Sequence, residues 1–211
     1  MKIEWGAGYP LPWAFAAIQI AWAVTAVYFL ASMLFTNRIR RRESGGARVL
    51  DRLLLLGGYF MLFWIIPGST KEHFMRTNTG LAAAGVALTY LGLSLTLWSR
   101  IRLGRYWSGV VALKQDHRLI QVGPYRVVRH PLYSGIILAA FGLVLAVTTW
   151  NSLLGVALLI ACFERRAHIE DSLLAAEFGA EFEAYRQRTG RLVPRVDRRA
   201  RRQCQNSQMR L

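Results

Sequence analysis

The chain has 211 residues, 54% of them hydrophobic and only 18% charged, with a formal net charge of +15. That apolarity excludes a disordered or collagen-like chain, and the charged share falls below the roughly one quarter usual in a soluble globule. What remains is a basic nucleic-acid binder or a multi-span membrane protein, and the placement of the charges decides between them.

Taken in chain order, the charges are segregated. Nothing from Leu11 to Phe35 ionises, and about 25 residues suffice for a hydrocarbon core of roughly 30 Å. Leu53 to Ile66 is a second uncharged run, closed by Pro67-Gly68, and Thr79 to Ser99 is a third. The fourth, Pro131 to Phe163, is too long for one span, and Thr148-Thr149-Trp150-Asn151-Ser152 near its middle reads as a turn. The pattern therefore predicts an all-α integral membrane protein of about five transmembrane helices, the last two forming a C-terminal hairpin. No cleaved signal peptide is expected, because the first apolar run is long and lacks a basic leader and a small-residue cleavage site.

Once the spans alternate, all of the 27 basic residues except Lys2, Lys71 and Arg76 fall on one side. The positive-inside rule assigns that side to the cytoplasm, with the N-terminus outside and the C-terminus inside. The basic character then reflects topology and contact with anionic inner-leaflet lipids. Nucleic acid is not expected as a partner, since the arginines flank apolar spans instead of lining one soluble surface. Cys162 and Cys204 lie on or near the reducing side, so no disulfide is expected. His73, His117, His130 and His168 are too scattered to suggest a metal site. The arginine-rich segment Arg195–Leu211 reads as a solvated or membrane-surface extension, disordered in character.

Chemistry concentrates toward the C-terminus. The segment His117–Gly135 precedes the hairpin on the cytoplasmic face, with a turn at Gly123-Pro124. Pro131 suits the first turn of the fourth span, where its missing N–H costs nothing. Backbone N–H groups near His130 to Tyr133 would then be free to hold a carboxylate. Arg126 alone reads as a juxtamembrane anchor, whereas Arg129-His130-Pro131 with Tyr133 and Gly135 reads as a pocket wall, Gly135 permitting close approach. After the hairpin, Phe163 to Leu174 continues the fifth helix into the cytosol. Arg166 and Glu170 are four apart and share a face, a surface ion pair being the plain alternative to a site. The adjacent Glu170 and Asp171 point to different sides, one to a pocket and the other to solvent or a basic loop.

These motifs together resemble the isoprenylcysteine carboxyl methyltransferase family, whose wider relatives are small integral-membrane phospholipid methyltransferases. The resemblance rests on His117-x-Leu119, Gly123-Pro124-Tyr125, Arg129-His130-Pro131-x-Tyr133-x-Gly135, Arg166-x-x-x-Glu170-Asp171-x-Leu173-Leu174, Phe178-Gly179 and Tyr185. It covers about Leu103 to Pro194. The family commonly has paired glutamates where this chain has Glu170-Asp171.

The resemblance implies a cytoplasmic S-adenosyl-L-methionine pocket. Cofactor contacts would come from His117, Arg118, Leu119, Ile120, Gly123, Tyr125, His130, Pro131, Leu132, Tyr133, Gly135 and Glu170, with Lys114 or a neighbour at the adenine end. Arg166 matches the position facing the methyl acceptor, and Arg129 and Glu170 complete the catalytic set. No metal is implied. The chain would divide into a three-span region (1–102), a catalytic region (103–194) and the basic tail (195–211). A lipophilic acceptor, most simply an isoprenylcysteine-like carboxylate, would enter sideways between spans while the donor arrives from the cytosol. A phospholipid amine N-methyltransferase, an NADPH-dependent membrane reductase-like protein and a non-catalytic scaffold are the alternatives. Neither the acceptor nor the oligomeric state is fixed by the sequence.

Overall fold

The apolar runs are helical over their described residues, and several helix ends are set by recognisable residues. The computed structural model describes residues 11–36, 39–42, 45–63, 73–109, 112–114 and 118–195. The first ten residues, the end of the second apolar run at 64–66, His117 and the tail beyond Arg195 lie outside the described residues. Helix α1 (Pro12–Ser32) starts on a proline and passes into a 3-10 turn at Met33–Phe35, and α2 spans Gly45–Phe63. In α3 (Thr79–Leu103) the Asn78 side chain caps the first turn, accepting the Leu81 N–H at 2.8 Å, and Gly104 at φ +56° ends it. Helix α4 (Pro131–Val147) again opens on proline. Helix α5 runs unbroken from Trp150 to Phe178, and α6 covers Ala180–Arg188.

Two of these segments, Pro12–Phe35 and Thr79–Tyr106, are long and apolar enough to cross a membrane, and α4 is a shorter apolar helix. The helical expectation holds with one addition. Strands β1 (Ile39–Arg42) and β2 (Ala112–Lys114) pair antiparallel into a two-stranded ribbon. No apolar periodicity announced it, since its strands are short and one is built of charged residues.

The hairpin turn is tighter than the sequence suggested. Thr148 takes a left-handed conformation (φ 52°) and Thr149 already caps α5 through Ser152, so Trp150 to Ser152 are helical. A β-branched residue resists positive φ, and here tertiary bonds hold it. The Thr148 hydroxyl donates to the Met75 carbonyl at 2.7 Å and lies 3.0 Å from the Thr77 hydroxyl, while its carbonyl accepts the Phe74 N–H at 2.9 Å.

Lipid tails are as apolar as leucine, so helices in a bilayer associate by close packing and hydrogen bonding more than by the hydrophobic effect. The sequence supplies what that requires. Gly85, Thr89, Gly92 and Thr96 form one stripe on α3, facing Gly135, Ala139, Gly142 and Ala146 on α4. The backbones approach so closely that a Cβ on Gly85 would lie 2.6 Å from the Gly142 carbonyl, and one on Gly142 would lie 2.5 Å from the Thr89 amide. The Thr89 hydroxyl crosses the seam to the Ala139 carbonyl at 3.2 Å, and Thr96 to the Leu132 carbonyl at 3.4 Å. A second seam joins α2 to α5, where Gly58 meets Leu159 and Gly155 meets the Leu62 amide. The C-terminal end of α3, the N-terminal end of α4 and the part of α5 beyond Phe163 are thereby brought together, and the candidate site lies among them.

Candidate active site

Three elements carry the polar chemistry: the segment from Arg118 to His130, the first turn of α4, and the part of α5 beyond Phe163. A strap just after α6 ties them together. Its carbonyls at Gly190 and Arg191 accept the N–H groups of Arg129 (2.8 Å) and His130 (3.1 Å), and the Ser134 hydroxyl donates to the Leu192 carbonyl at 2.5 Å. This corrects the expectation of open amides from His130 onward. The His130 N–H is already used, and among the described residues only Leu132 and Tyr133 keep unpaired first-turn amides in that stretch.

Asp171, 7% exposed, is the node beneath the strap. Its carboxylate receives Arg129 through Nε (3.2 Å) and Nη2 (3.1 Å), His130 through Nε2 (2.9 Å) and Arg191 through Nε (3.2 Å). Arg129 Nη1 also donates to the Thr189 carbonyl at 2.7 Å. Asp171 is therefore the acid that meets the basic loop. Glu170, one residue earlier and turned about 100° around the helix, accepts the Tyr133 hydroxyl at 2.6 Å and pairs with His130 Nδ1 at 3.1 Å.

Both ring nitrogens of His130 thus face carboxylates, which a neutral imidazole with a single N–H cannot satisfy. Burial pushes the His130 imidazole toward the neutral form, but hydrogen bonds to Asp171 and then Glu170 outweigh it and hold its pKa above the ordinary value. For Asp171, burial acts upward, and the His130 and Arg129 bonds overcome it and bring the carboxyl down to about 2. The sign follows from linkage: a raised histidine contributes stability that is complete below its unfolded value of 6.5 and is lost as pH rises through the folded one. We expect the thermal stability of the detergent-solubilised protein to fall as pH rises above 6.5 and through the raised His130 value. In His130→Gln that slope should flatten; an equally steep slope in the variant would contradict the assignment.

The His130 ring stacks on Tyr133 (5.6 Å, 9° between planes), and Tyr133 stacks on Phe163 (4.8 Å, 21°). His130 and Tyr133 of this ladder form one wall of a cleft enclosing about 830 Å³ with its open mouth. Arg118, Leu119, Ile120, Tyr125, Arg129, His130, Leu132, Tyr133 and Glu170 line it. Tyr125 is braced from both sides: its hydroxyl donates to the Ser99 carbonyl at 3.4 Å and its own carbonyl accepts the Tyr185 hydroxyl at 2.7 Å.

Other expected residues lie elsewhere. Gly135 faces α3, where a side chain would meet Thr96 and the Gly92 carbonyl, so its close approach serves helix packing and not a ligand. Gly123, at φ +60°, packs on the Arg102 side chain. Pro131 is buried at the start of α4, Lys114 belongs to strand β2, and His117 is outside the described residues. Arg166 does not pair with Glu170 across one helical turn. Its Nε is 3.1 Å from Asp51 on α2, an acid the sequence reading passed over.

The cleft also uses Leu103, Tyr106, Trp107 and Ser108 from the end of α3, together with Leu173, Leu174 and Tyr185. Trp107 is held by Arg100, whose guanidinium lies 4.6 Å from the ring centroid and also donates to the Ser32 hydroxyl (3.1 Å) and the Gly104 carbonyl (2.7 Å). A buried arginine at the end of an apolar run, followed by a glycine and two aromatics, was the available signal for this wall.

Comparison with known proteins bears on what such a cleft does. The sequence model of the isoprenylcysteine carboxyl methyltransferase family matches residues 85–176. The chain is 28% identical over 190 residues to a probable protein-S-isoprenylcysteine O-methyltransferase of Oryza sativa subsp. japonica, covering 88% of this chain and 96% of the relative. It is 26% identical over 168 residues to protein-S-isoprenylcysteine O-methyltransferase B of Arabidopsis thaliana, covering 72% and 82%. It is also 34% identical over 162 residues to a cobalt-zinc-cadmium resistance protein of Cupriavidus metallidurans, covering 72% and 71%.

Proposed function

From the premise that the chain belongs to the isoprenylcysteine carboxyl methyltransferase family, we propose that it is an integral-membrane, S-adenosyl-L-methionine-dependent methyltransferase of a lipophilic carboxylate. The observation that carries the reading is the cleft: one half-buried carboxylate, Glu170, set among the faces of Tyr106, Trp107, Tyr125 and Tyr133. Such a lining suits a cationic ligand, because ring faces and a carboxylate both attract positive charge. When bound, the donor supplies an electrophilic methyl group on a sulfonium. Glu170 and the rings would hold its cationic part, and the unpaired amides of Leu132 and Tyr133 would suit its carboxylate.

The chain's task is then alignment. An acceptor carboxylate is ionised near neutral pH and needs no base, so orientation and desolvation carry the rate; orientation alone can supply up to about 7–11 kcal/mol. An amine acceptor would need a base. Glu170 and Asp171 are both committed to cations, Glu170 to His130 and Asp171 to Arg129, His130 and Arg191, which favours the carboxylate. The basic ends of α3, α4 and α5 suit a cytoplasmic cleft in a five-span arrangement, with the C-terminus inside.

Membranes given methyl-labelled donor and an S-prenylated N-acetylcysteine should yield a product that releases its label in mild base, as an ester does and a methylated amine does not. In the purified protein, Glu170→Gln and Tyr133→Phe should each weaken donor binding on the order of ten- to hundredfold, as loss of a charged hydrogen bond does. Unchanged affinity in both by calorimetry would refute the site assignment.

A further inference from the structure

A second concavity lies between α6 and the strap, and Arg129 lines both it and the cleft. The strap turns sharply to form it: a Cβ on Gly190 would overlap the Val193 carbonyl and lie 3.0 Å from the Arg195 amide. That turn returns Arg195 to the last turn of α6, where its Nη1 donates to the Gln187 carbonyl at 2.6 Å. Arg129, Arg186, Arg191 and Arg195 line this pocket, with Glu183 as the single carboxylate among the lining residues.

The charges are unevenly answered. Arg186 is bidentate on Glu183 (2.9 and 3.0 Å), Arg129 and Arg191 share Asp171, and Arg191 also reaches Glu164 at 3.4 Å. Arg195 has no carboxylate partner among the described residues. Carbonyls at a helix C-terminus ordinarily disfavour an anion, but here they are covered. Arg129 Nη1 takes those of Arg186 (3.3 Å) and Thr189 (2.7 Å), and Arg195 takes that of Gln187. A guanidinium carries five N–H donors, so Arg186, Arg191 and Arg195 each keep donors that no described group accepts.

The position suits a membrane surface. The Leu192 carbonyl accepts the Ser134 hydroxyl from the first turn of α4, where the fourth apolar run begins, and the neighbouring Val193 is exposed. Arginines clustered at the end of an apolar span attract anionic headgroups. The sequence beyond Arg195 carries five arginines against Asp197 alone, so it brings no net negative charge to the pocket.

We propose that this pocket binds the phosphate of an anionic phospholipid headgroup, with Arg186, Arg191 and Arg195 donating to its oxygens. The proposal rests on the integral-membrane placement above and is independent of methyl transfer.

The test uses the full chain in a neutral maltoside detergent. Calorimetric titration compares a short-chain phosphatidylglycerol with phosphatidylcholine of equal chain length and with glycerol phosphate. Phosphatidylglycerol should bind the most tightly of the three and raise the melting temperature, as a ligand of the folded state does. Arg186→Gln and Arg195→Gln, both at exposed positions, should each weaken its Kd about fivefold. Arg126→Gln, at an exposed arginine outside the pocket, should leave it unchanged. An equal loss in Arg126→Gln would reveal a diffuse basic surface and overturn the proposal. Equal affinity for phosphatidylcholine would overturn it too, since the phosphate's net charge would then play no part. Glycerol phosphate binding as tightly as the lipid would reassign the pocket to a soluble anion, and a short RNA displacing the lipid would reassign it to nucleic acid. Methyl-donor binding in the same samples reports on the cleft alone: a chain that binds the lipid and no donor would lose the functional reading and keep this one.

Discussion

Asp171→Ala should destabilise the protein by about 3–5 kcal/mol, the usual cost of removing one partner from a buried ionic group. The carboxylate serves Arg129, His130 and Arg191 at once; without it Arg129, buried, would keep only carbonyl acceptors, while His130 would retain Glu170 and Arg191 would retain Glu164. The drop of its pKa from 3.8 to about 2 corresponds to only about 2 kcal/mol of stability. The larger figure arises because truncation also leaves the buried Arg129 without a carboxylate. Since the folded pKa is depressed, the carboxylate's contribution is complete above 3.8 and is lost as pH falls through about 2. Thermal unfolding in detergent measures the effect, and donor binding should fail as well, because His130 and the strap share the same node. Asp171→Glu, which restores the pair of glutamates common in the family, keeps the charge and should lose less. A melting temperature unchanged in Asp171→Ala would show that the strap holds without its ionic centre.

Gly92→Leu should be comparably damaging for a reason that involves no charge. A Cβ there would lie 2.6 Å from the Gly135 carbonyl and 2.9 Å from the Ala139 Cα, both backbone atoms that cannot swing aside. The helices must separate, breaking the Thr89–Ala139 and Thr96–Leu132 bonds. Overpacking of this kind costs about 1–3 kcal/mol or more. The loss should reach the cleft, because α3 delivers Leu103 and Trp107 to one wall and α4 delivers Leu132 and Tyr133 to another. Gly57→Ala is the control: its nearest neighbour would be Leu158 Cδ1 at 3.9 Å, ordinary contact, so stability and donor affinity should be retained. Equal melting temperatures for Gly92→Leu and Gly57→Ala would sink the account of the seam.

Much of the candidate site was legible because its residues are contiguous. Arg118 to Tyr133 is a single stretch, and Glu170 sits on a helix whose phase can be read from spacing alone. Contiguity also misled. Arg166 and Glu170 share a helical face, which suggests mutual contact, yet each has a partner from another element: Asp51 on α2, and Tyr133 with His130 beside α4. Gly135 reads as a gap beside a ligand when only its own motif is in view. With α3 present it is one tooth of a seam.

By itself the amino-acid order determined the helical character, the ends of most helices, the gathering of basic residues beside apolar runs and the family resemblance. All of these are properties of short windows or of fixed motifs. Only the tertiary structure decided which acid serves which arginine, that the His130 amide is consumed by a strap some sixty residues away, and that the end of α3 walls the cleft. The physical reason is reach: an ion pair or hydrogen bond acts over about 3–4 Å, and which groups come that close depends on helix crossings set by small residues far from the charges.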